Sequence, residues 1–411
     1  MSERRVSLLG ALLVAIGPVS MALYTPAMAT LVDAFGTSES VIKLTLTLYF
    51  GGFAAAQLVA GPISDAVGRR PVTVAFMLIY CAASIVALFA PTVGVLMAAR
   101  FMQGIGASAG VAIARAIVRD LFTGDRSSRI MNLIGIILSV GPALAPTIGG
   151  VMLVAFGWRS IFIAMLAFGL TVILAALFAM RETVEADLTR LKPRQLAGSY
   201  AMLLRHRHFM TATLVVAGAL GAIYAQATFL PFILIGRVGL TPAEFGLAML
   251  LQSGSFFAGS LVVRALMARA SAYRLVPVGI AFVVLGSLGT AGLLFWQPTL
   301  LRVMVPVGVY AVGIAFVMPA MSTAALAPFR RDAGAAAAMM GFLQMGAGLL
   351  VGSLGALFPN AVLAMACLIP AMGAAACLAY IVYLRSPRLG EIEPRADIIA
   401  APQQGRTMMP D

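Results

Sequence analysis

Charge is what this 411-residue chain has least of. Asp, Glu, Lys and Arg make up 10% of it and hydrophobic residues 61%, against about 25% charged in an ordinary soluble domain. That balance excludes a soluble globular fold and points to a chain threaded repeatedly through a membrane. Histidine is nearly absent, only His206 and His208, and the three cysteines, Cys81, Cys367 and Cys377, are widely scattered. The cysteines form no disulfide framework, and no His, Cys and acid spacing suits a metal. There is no nucleotide-binding loop either, so a membrane enzyme is disfavoured and neither cofactor nor metal is expected. The apolar runs lack strand-like alternation, which excludes a barrel.

What is present is a series of apolar runs, each long enough to cross the ~30 Å hydrocarbon layer as a helix. Twelve are expected, at 7–33, 42–63, 72–91, 95–118, 130–155, 159–180, 209–235, 243–267, 274–295, 300–325, 333–358 and 361–384. The expected fold is an all-α membrane protein of two pseudo-symmetric six-helix bundles. Residues 1–180 and 209–384 form the halves, 181–208 a polar linker, and 385–411 a disordered tail rich in Pro, Arg and Gln.

The net charge of +13 reads as topology rather than nucleic-acid binding. Of 28 Lys and Arg, Lys43, Arg159, Arg237 and Arg302 are placed in alternate short loops and Arg100 within a span. The remaining 23 crowd the other loops, the termini and the adjoining span ends. The positive-inside rule then places both termini and the linker in the cytoplasm. Met1 to Arg5 leads into a run too long for a signal peptide and without a cleavage site, which is read as the first span.

The densest cluster of charge and helix breakers is Gly61-Pro62-Ile63-Ser64-Asp65-Ala66-Val67-Gly68-Arg69-Arg70-Pro71, expected to be a tight loop between spans two and three. Any short cytoplasmic loop collects arginines. A carboxylate beside two guanidiniums at a helix junction can also form a latch that holds in one conformation and breaks in another. Span four carries Arg100-x-x-Gln103-Gly104-x-Gly106-Ala107-Ser108 and ends with Arg115, Arg119 and Asp120. By position Asp120 can join Asp65, Arg69 and Arg70. Arg100 and Arg115 are taken as buried charges, which in a span face the interior or a wet cavity; the alternative for Arg100 is snorkelling to the outer surface. Span five holds Gly141-Pro142-Ala143-Leu144-Ala145-Pro146-Thr147-Ile148-Gly149-Gly150, where small residues allow close packing and prolines bend the helix. Gly259 to Arg274 looks like a degraded copy of the opening cluster that keeps Gly259, Arg264 and Arg269 but no Asp.

The pattern G-x-x-S-D-x-x-G-R-R-P resembles the loop signature of the major facilitator superfamily. The strings in spans four and five resemble that superfamily's motifs. Phe156-Gly157-Trp158-Arg159-Ser160, Tyr224-x-x-x-x-Phe229-Leu230-Pro231 and Gly239-Leu240-Thr241-Pro242-x-x-Phe245-Gly246 resemble the Bcr/CflA drug-resistance group. The resemblance covers almost the whole chain. It implies a drug:proton antiporter of the inner membrane, with Arg100 tied to proton transfer and Gly141, Pro142, Pro146, Gly149 and Gly150 forming an "antiporter" motif that favours export. Ala145 departs from that motif's usual Gly.

The acids fit this implication poorly. All 15 fall at one face or the other, and none at the middle of a span. Where group members often carry an acid in span one, this chain has Ala22. Asp33, near the outer mouth, is the remaining proton-site candidate. The expected function is efflux of small amphiphilic compounds by alternating access, coupled to protons, in a lipid-embedded monomer without nucleic-acid partners. The alternative is an uncoupled facilitator or an exporter of a neutral or anionic metabolite. Cavity candidates are Tyr24, Tyr49, Gln57, Gln103, Tyr224, Gln226, Gln252, Tyr310 and Gln344, each also suited to a plain helix–helix hydrogen bond.

Overall fold

In the computed structural model the described residues are 3–122, 124–329 and 332–385, excluding some side chains between 124 and 142 and that of Arg190. The expected tail past Arg385 lies outside them. Among the described residues there are fourteen α-helices and no strand. The N-terminal half contains α1 Glu3–Tyr24, α2 Ala27–Ala34, α3 Glu39–Val67, α4 Arg69–Leu88, α5 Val93–Leu121, α6 Gly124–Phe156 and α7 Arg159–Phe178. A linking helix, α8 Pro193–Arg205, leads to α9 Arg207–Leu234, α10 Pro242–Leu266, α11 Ala272–Ala291, α12 Leu300–Leu326, α13 Ala333–Ala356 and α14 Ala361–Leu384. Twelve of these are long. Eleven are apolar enough to cross a membrane over their described residues, and α6 is apolar over Ala143–Phe156.

Two sequence expectations change. The 7–33 span is two helices, because Thr25 and Pro26 form a turn between α1 and α2; proline lacks the N–H needed to continue the ladder. The stretch 61–71 is not a loop. α3 runs through Gly61 and Pro62 to Val67, α4 starts at Arg69, and only Gly68 lies between them. Gly68 has φ +114°, a value side chains with a Cβ rarely adopt. A single residue therefore turns the chain back.

The long helices alternate in direction, so one face carries the start of α1 and the end of α14 (the terminal face) and the other is the opposite face. Of the helices that begin at the opposite face, all but α7 among the long ones are capped by side chains. Ser38, Thr92, Thr299 and Asn360 accept from backbone N–H groups of α3, α5, α12 and α14. Thr241 and Glu244 form a reciprocal capping box at α10, satisfying N–H groups that have no partner within the helix.

Within the N-terminal half α5 is central, packing on α1, α3 and α4. Its glycines make this possible: a Cβ at Gly104 would meet the carbonyl of Tyr49, and one at Gly110 that of Leu13. In the C-terminal half α12 packs on α9, α10 and α11, while α14 packs on α9 and α11. The halves meet along α3–α13 and α6–α10.

Candidate functional site

The charged cluster forms at the terminal face. Asp65 and Arg69 lie on successive helices, and the one-residue turn at Gly68 brings Arg69 Nη1 to 2.5 Å from Asp65 Oδ1. Arg69 Nε lies 3.2 Å from Asp120 Oδ2 on α5, and Arg69 Nη1 donates to Ser64 Oγ at 2.7 Å. Arg69 is buried while Asp65 is half exposed, so the guanidinium is the fixed centre. Arg70 points elsewhere, donating to the Leu177 carbonyl at 2.7 Å at the end of α7.

Sequence reasoning missed Glu182. Its carboxylate accepts from the backbone N–H of Arg69 at 2.8 Å and of Arg70 at 3.0 Å, capping α4 where Gly68 has no side chain to do so. Thr183, the next residue, donates to Asp120 at 3.0 Å. Partial burial pushes the Glu182 carboxyl up, but four backbone donors, those of Arg69, Arg70, Thr183 and Val184, hold it below the ordinary carboxylate range. The start of the linker is thus stitched to the cluster. The degraded copy is looser: α10 and α11 are separated by five residues rather than one, and neither Arg264 nor Arg269 has an acidic partner among the described residues.

Arg100 is fully buried in the middle of the N-terminal half. Its Cζ sits 4.3 Å from the ring centre of Tyr24 and 4.5 Å from that of Tyr49, so two aromatic faces take the place of a carboxylate. Nη1 donates to Gln103 Oε1 at 2.7 Å, and Gln103 Nε2 donates to Ser84 Oγ at 2.8 Å. Tyr24 bonds Thr45 at 2.6 Å and Tyr49 donates to the Gly17 carbonyl at 2.9 Å. Arg100 Nε and Nη2 have no hydrogen-bond partner.

Arg115 is different. Expected as a buried charge, it is exposed on the wall of a cavity of about 850 Å³. It lies fifteen residues further along α5, where the two halves have separated. The cavity lies between the halves toward the terminal face, bounded by the ends of α3 and α5, the residues around α8, and the start of α13. Gln57 on α3 lines it, and its Oε1 is buried without a partner.

Beyond Gln57 the halves close in layers. Gly341 leaves room for the Gln57 amide, Phe50 packs on Tyr224 at 5.1 Å between ring centres, and Lys43 Nζ lies 5.5 Å from the Phe232 ring. Lys43, expected in an outer loop, is buried within α3 because that helix begins at Glu39, which lies 3.9 Å from the ammonium. Nearest the opposite face, a Cβ at Gly150 would meet the Pro242 carbonyl, and Thr147 Oγ1 donates to the Gly246 carbonyl at 2.9 Å. Gly149 packs on the Leu23 carbonyl and Gly141 beside Val19. Pro146 is buried and α6 is unbroken from Gly124 to Phe156; the Pro142 side chain lies outside the described residues.

Of the polar cavity candidates, only Gln57 lines this cavity. Tyr24, Tyr49 and Gln103 belong to the Arg100 cluster, and Gln226 and Gln252 bond each other at 2.6 Å inside the C-terminal half. Tyr224 closes the seam, Tyr310 is buried with its hydroxyl unpartnered, and Gln344 is half-buried. Asp33 is exposed near the opposite face, one residue from the end of α2.

Residues 10–356 match the family model of the Major Facilitator Superfamily, and the chain belongs to that family. It is an integral membrane transporter rather than an enzyme. Multidrug resistance protein D of Escherichia coli (strain K12) is 31% identical over 369 residues, covering 87% of this chain and 90% of that protein. The uncharacterized transporter YdgK of Bacillus subtilis (strain 168) is 28% identical, covering 84% and 87%. Among solved structures, a bacterial homologue of the human lysosomal transporter Spinster superposes with TM-score 0.71 at 15% identity, covering 93% of this chain and 96% of that one. The xylose transporter XylE of E. coli gives 0.70 at 12%, covering 94% and 98%.

Proposed function

We propose that this protein exports small amphiphilic compounds across a bacterial-type inner membrane by alternating access. The terminal face is cytoplasmic, residues 1–180 and 209–384 rock as two bodies, and 181–208 links them. One observation carries the reading: a cavity of about 850 Å³ lies between the halves at the terminal face, while layers of side chains close the opposite side. A volume of this size suits drug-sized molecules. The positive-inside distribution supports the orientation. The similarity to a multidrug resistance protein over most of both chains supports export of drug-like compounds. Asp65, Arg69 and Asp120 act as the cytoplasmic gate, and the close packing of α6 on α10 at Gly150 as the outer one.

Coupling to protons is the expectation that the resemblance brings; with Ala22 where group members often carry the acid, Asp33 is the candidate left to carry the proton. A second reading, transport without a coupled proton, is favoured by the position of the acids. Every described helical carboxylate lies in the first or last three residues of its helix.

The test uses inside-out vesicles energised by respiration, with internal pH followed by a dye while neutral, anionic and cationic antibiotics are added singly. Compound-dependent collapse of the pH gradient, absent in Asp65→Asn vesicles, is expected of a proton antiporter. Movement of a labelled compound without any pH response supports the uncoupled reading. No protein-dependent movement of any compound overturns export.

A further inference from the structure

The cytoplasm-side cavity carries an imbalance of charge that the export reading leaves unused. Its charged wall residues are Asp65, Arg69, Arg115, Arg119, Lys192 and Asp332, four cations and two acids. Asp65 is taken by Arg69, Arg119 has Asp120 3.9 Å away, and Asp332 accepts from Ser199 at 2.9 Å. Arg115 and Lys192 are left with no acidic partner among the described residues. Arg115 lies six residues inside the end of α5, about 9 Å from it at 1.5 Å per residue. Its side chain lines the cavity between the halves rather than the outside of the bundle. Deeper along the same helix, Arg100 adds a second positive charge with no carboxylate near it.

A low-dielectric cleft lined by one sign of charge concentrates ions of the other sign, and a guanidinium is the side chain best suited to a carboxylate, sulfonate or phosphate. Asp332 is the one wall acid without a cationic partner among the described residues, and the two unpaired cations Arg115 and Lys192 outweigh it. From this we propose that the cargo is an amphiphilic organic monoanion, held by Arg115 in the cytoplasm-facing cavity and expelled by the membrane potential itself. This inference rests on the export reading and its orientation. A cell interior is electrically negative, so an anion leaving alone moves downhill in potential. No proton has to enter in exchange, and the lack of a carboxylate deep in the spans is then no defect. The unpartnered Gln57 oxygen offers an acceptor for a hydroxyl or amide on the same cargo.

The test uses the purified full-length chain in phosphatidylcholine vesicles, with a potassium gradient and valinomycin setting the potential. Two matched probes are compared: 2-naphthalenesulfonate and trimethyl(naphthylmethyl)ammonium, which differ in the sign of a permanent charge. An inside-positive potential should drive protein-dependent sulfonate accumulation, approaching about a hundredfold for about 120 mV, from about 59 mV per tenfold. The ammonium should not be carried. Arg115→Gln should cut the initial rate at least about tenfold while keeping the thermal unfolding midpoint and elution volume of the parent. Arg115→Lys should recover part of it, since charge is retained. An anionic lipid headgroup has the same chemistry as the probe's head. Vesicles with one third phosphatidylglycerol separate the sources: unchanged sulfonate uptake assigns the site to free cargo, and abolished uptake assigns it to lipid and overturns the proposal. Carriage of the ammonium instead of the sulfonate, or sulfonate uptake that ignores potential or Arg115, also overturns it while leaving export standing. If neither probe moves, the anion assignment fails, and the vesicle panel of antibiotics decides the fate of the export reading separately.

Discussion

Arg69 on α4 is bound to Asp120 on α5, Nε to Oδ2 at 3.2 Å, across a junction that also holds Asp65. The guanidinium is buried and both its acids are more exposed, so removing either acid leaves a cation that has lost part of its compensation. Asp65→Asn is expected to abolish export while membrane expression stays at the parental level. Asp120→Asn should weaken it by a similar order, and the double variant should be no worse than the more severe single one, because both act through Arg69. Transport rates in inside-out vesicles, normalised to protein by immunoblot, check this.

Replacing Arg100 with methionine removes the charge and the contacts with both tyrosines. Two desolvated cation–aromatic contacts contribute on the order of 2 kcal/mol each, offset by relief of a buried charge lacking a carboxylate. Arg100→Met is therefore expected to keep a folded protein with thermal stability near the parent but to lose transport. Arg100→Lys, which cannot lie flat between two rings, should be the less stable of the two. Thermal unfolding in detergent distinguishes them.

Gly150 sits where the opposite-face ends of α6 and α10 touch, with no room for a Cβ against Pro242. Gly150→Leu should force these ends apart and favour the state open to that face. Cysteines introduced at Lys43 and Phe232 should then react faster with an impermeant thiol reagent, by about tenfold or more.

Glu182 is a pH-sensitive tie on the proposed gate, through the backbone of Arg69 and Arg70. Its folded carboxyl titrates below its ordinary value, so the stabilisation it gives is complete above about pH 4.5 and disappears as pH falls through the lower folded value. Glu182→Gln should be less stable than the parent at pH 7, and the difference should shrink on acidification below pH 4.5. Thermal midpoints measured across that range test the sign.

The sequence made some of this visible and hid the rest for identifiable reasons. Run length alone reveals the helices, since an apolar segment in lipid must satisfy its backbone internally. Asp65 and Asp120 were legible as partners of Arg69 because each lies near a helix end on the basic face. Glu182 was not, being one acid among several in a polar linker and 113 residues from Arg69. Arg100 and Arg115 share a helix and a residue type; what separates them is Tyr24 and Tyr49 around one and an opening around the other. Lys43 reads as loop-like because Glu39 and Ser40 precede it, yet its burial depends on Phe232 in the other half. The turn at Gly68 reads as a loop in the sequence, because glycine, proline and charge usually mean one.

The short helix α8 has two neighbouring residues tied in opposite directions. Tyr200 donates to the Leu58 carbonyl on α3 at 2.5 Å, and Ser199 donates to Asp332 at the start of α13 at 2.9 Å. Adjacent Cα atoms are ~3.8 Å apart, so these two bonds fix the local gap between the halves to the reach of two side chains. While both hold, α8 lies across the mouth of the cavity, and the mesh it leaves, rather than the volume behind it, is expected to set the widest molecule that can enter. Cutting one tie, as in Tyr200→Phe, would coarsen the mesh and shift the size limit of the cargo without touching any group that binds it.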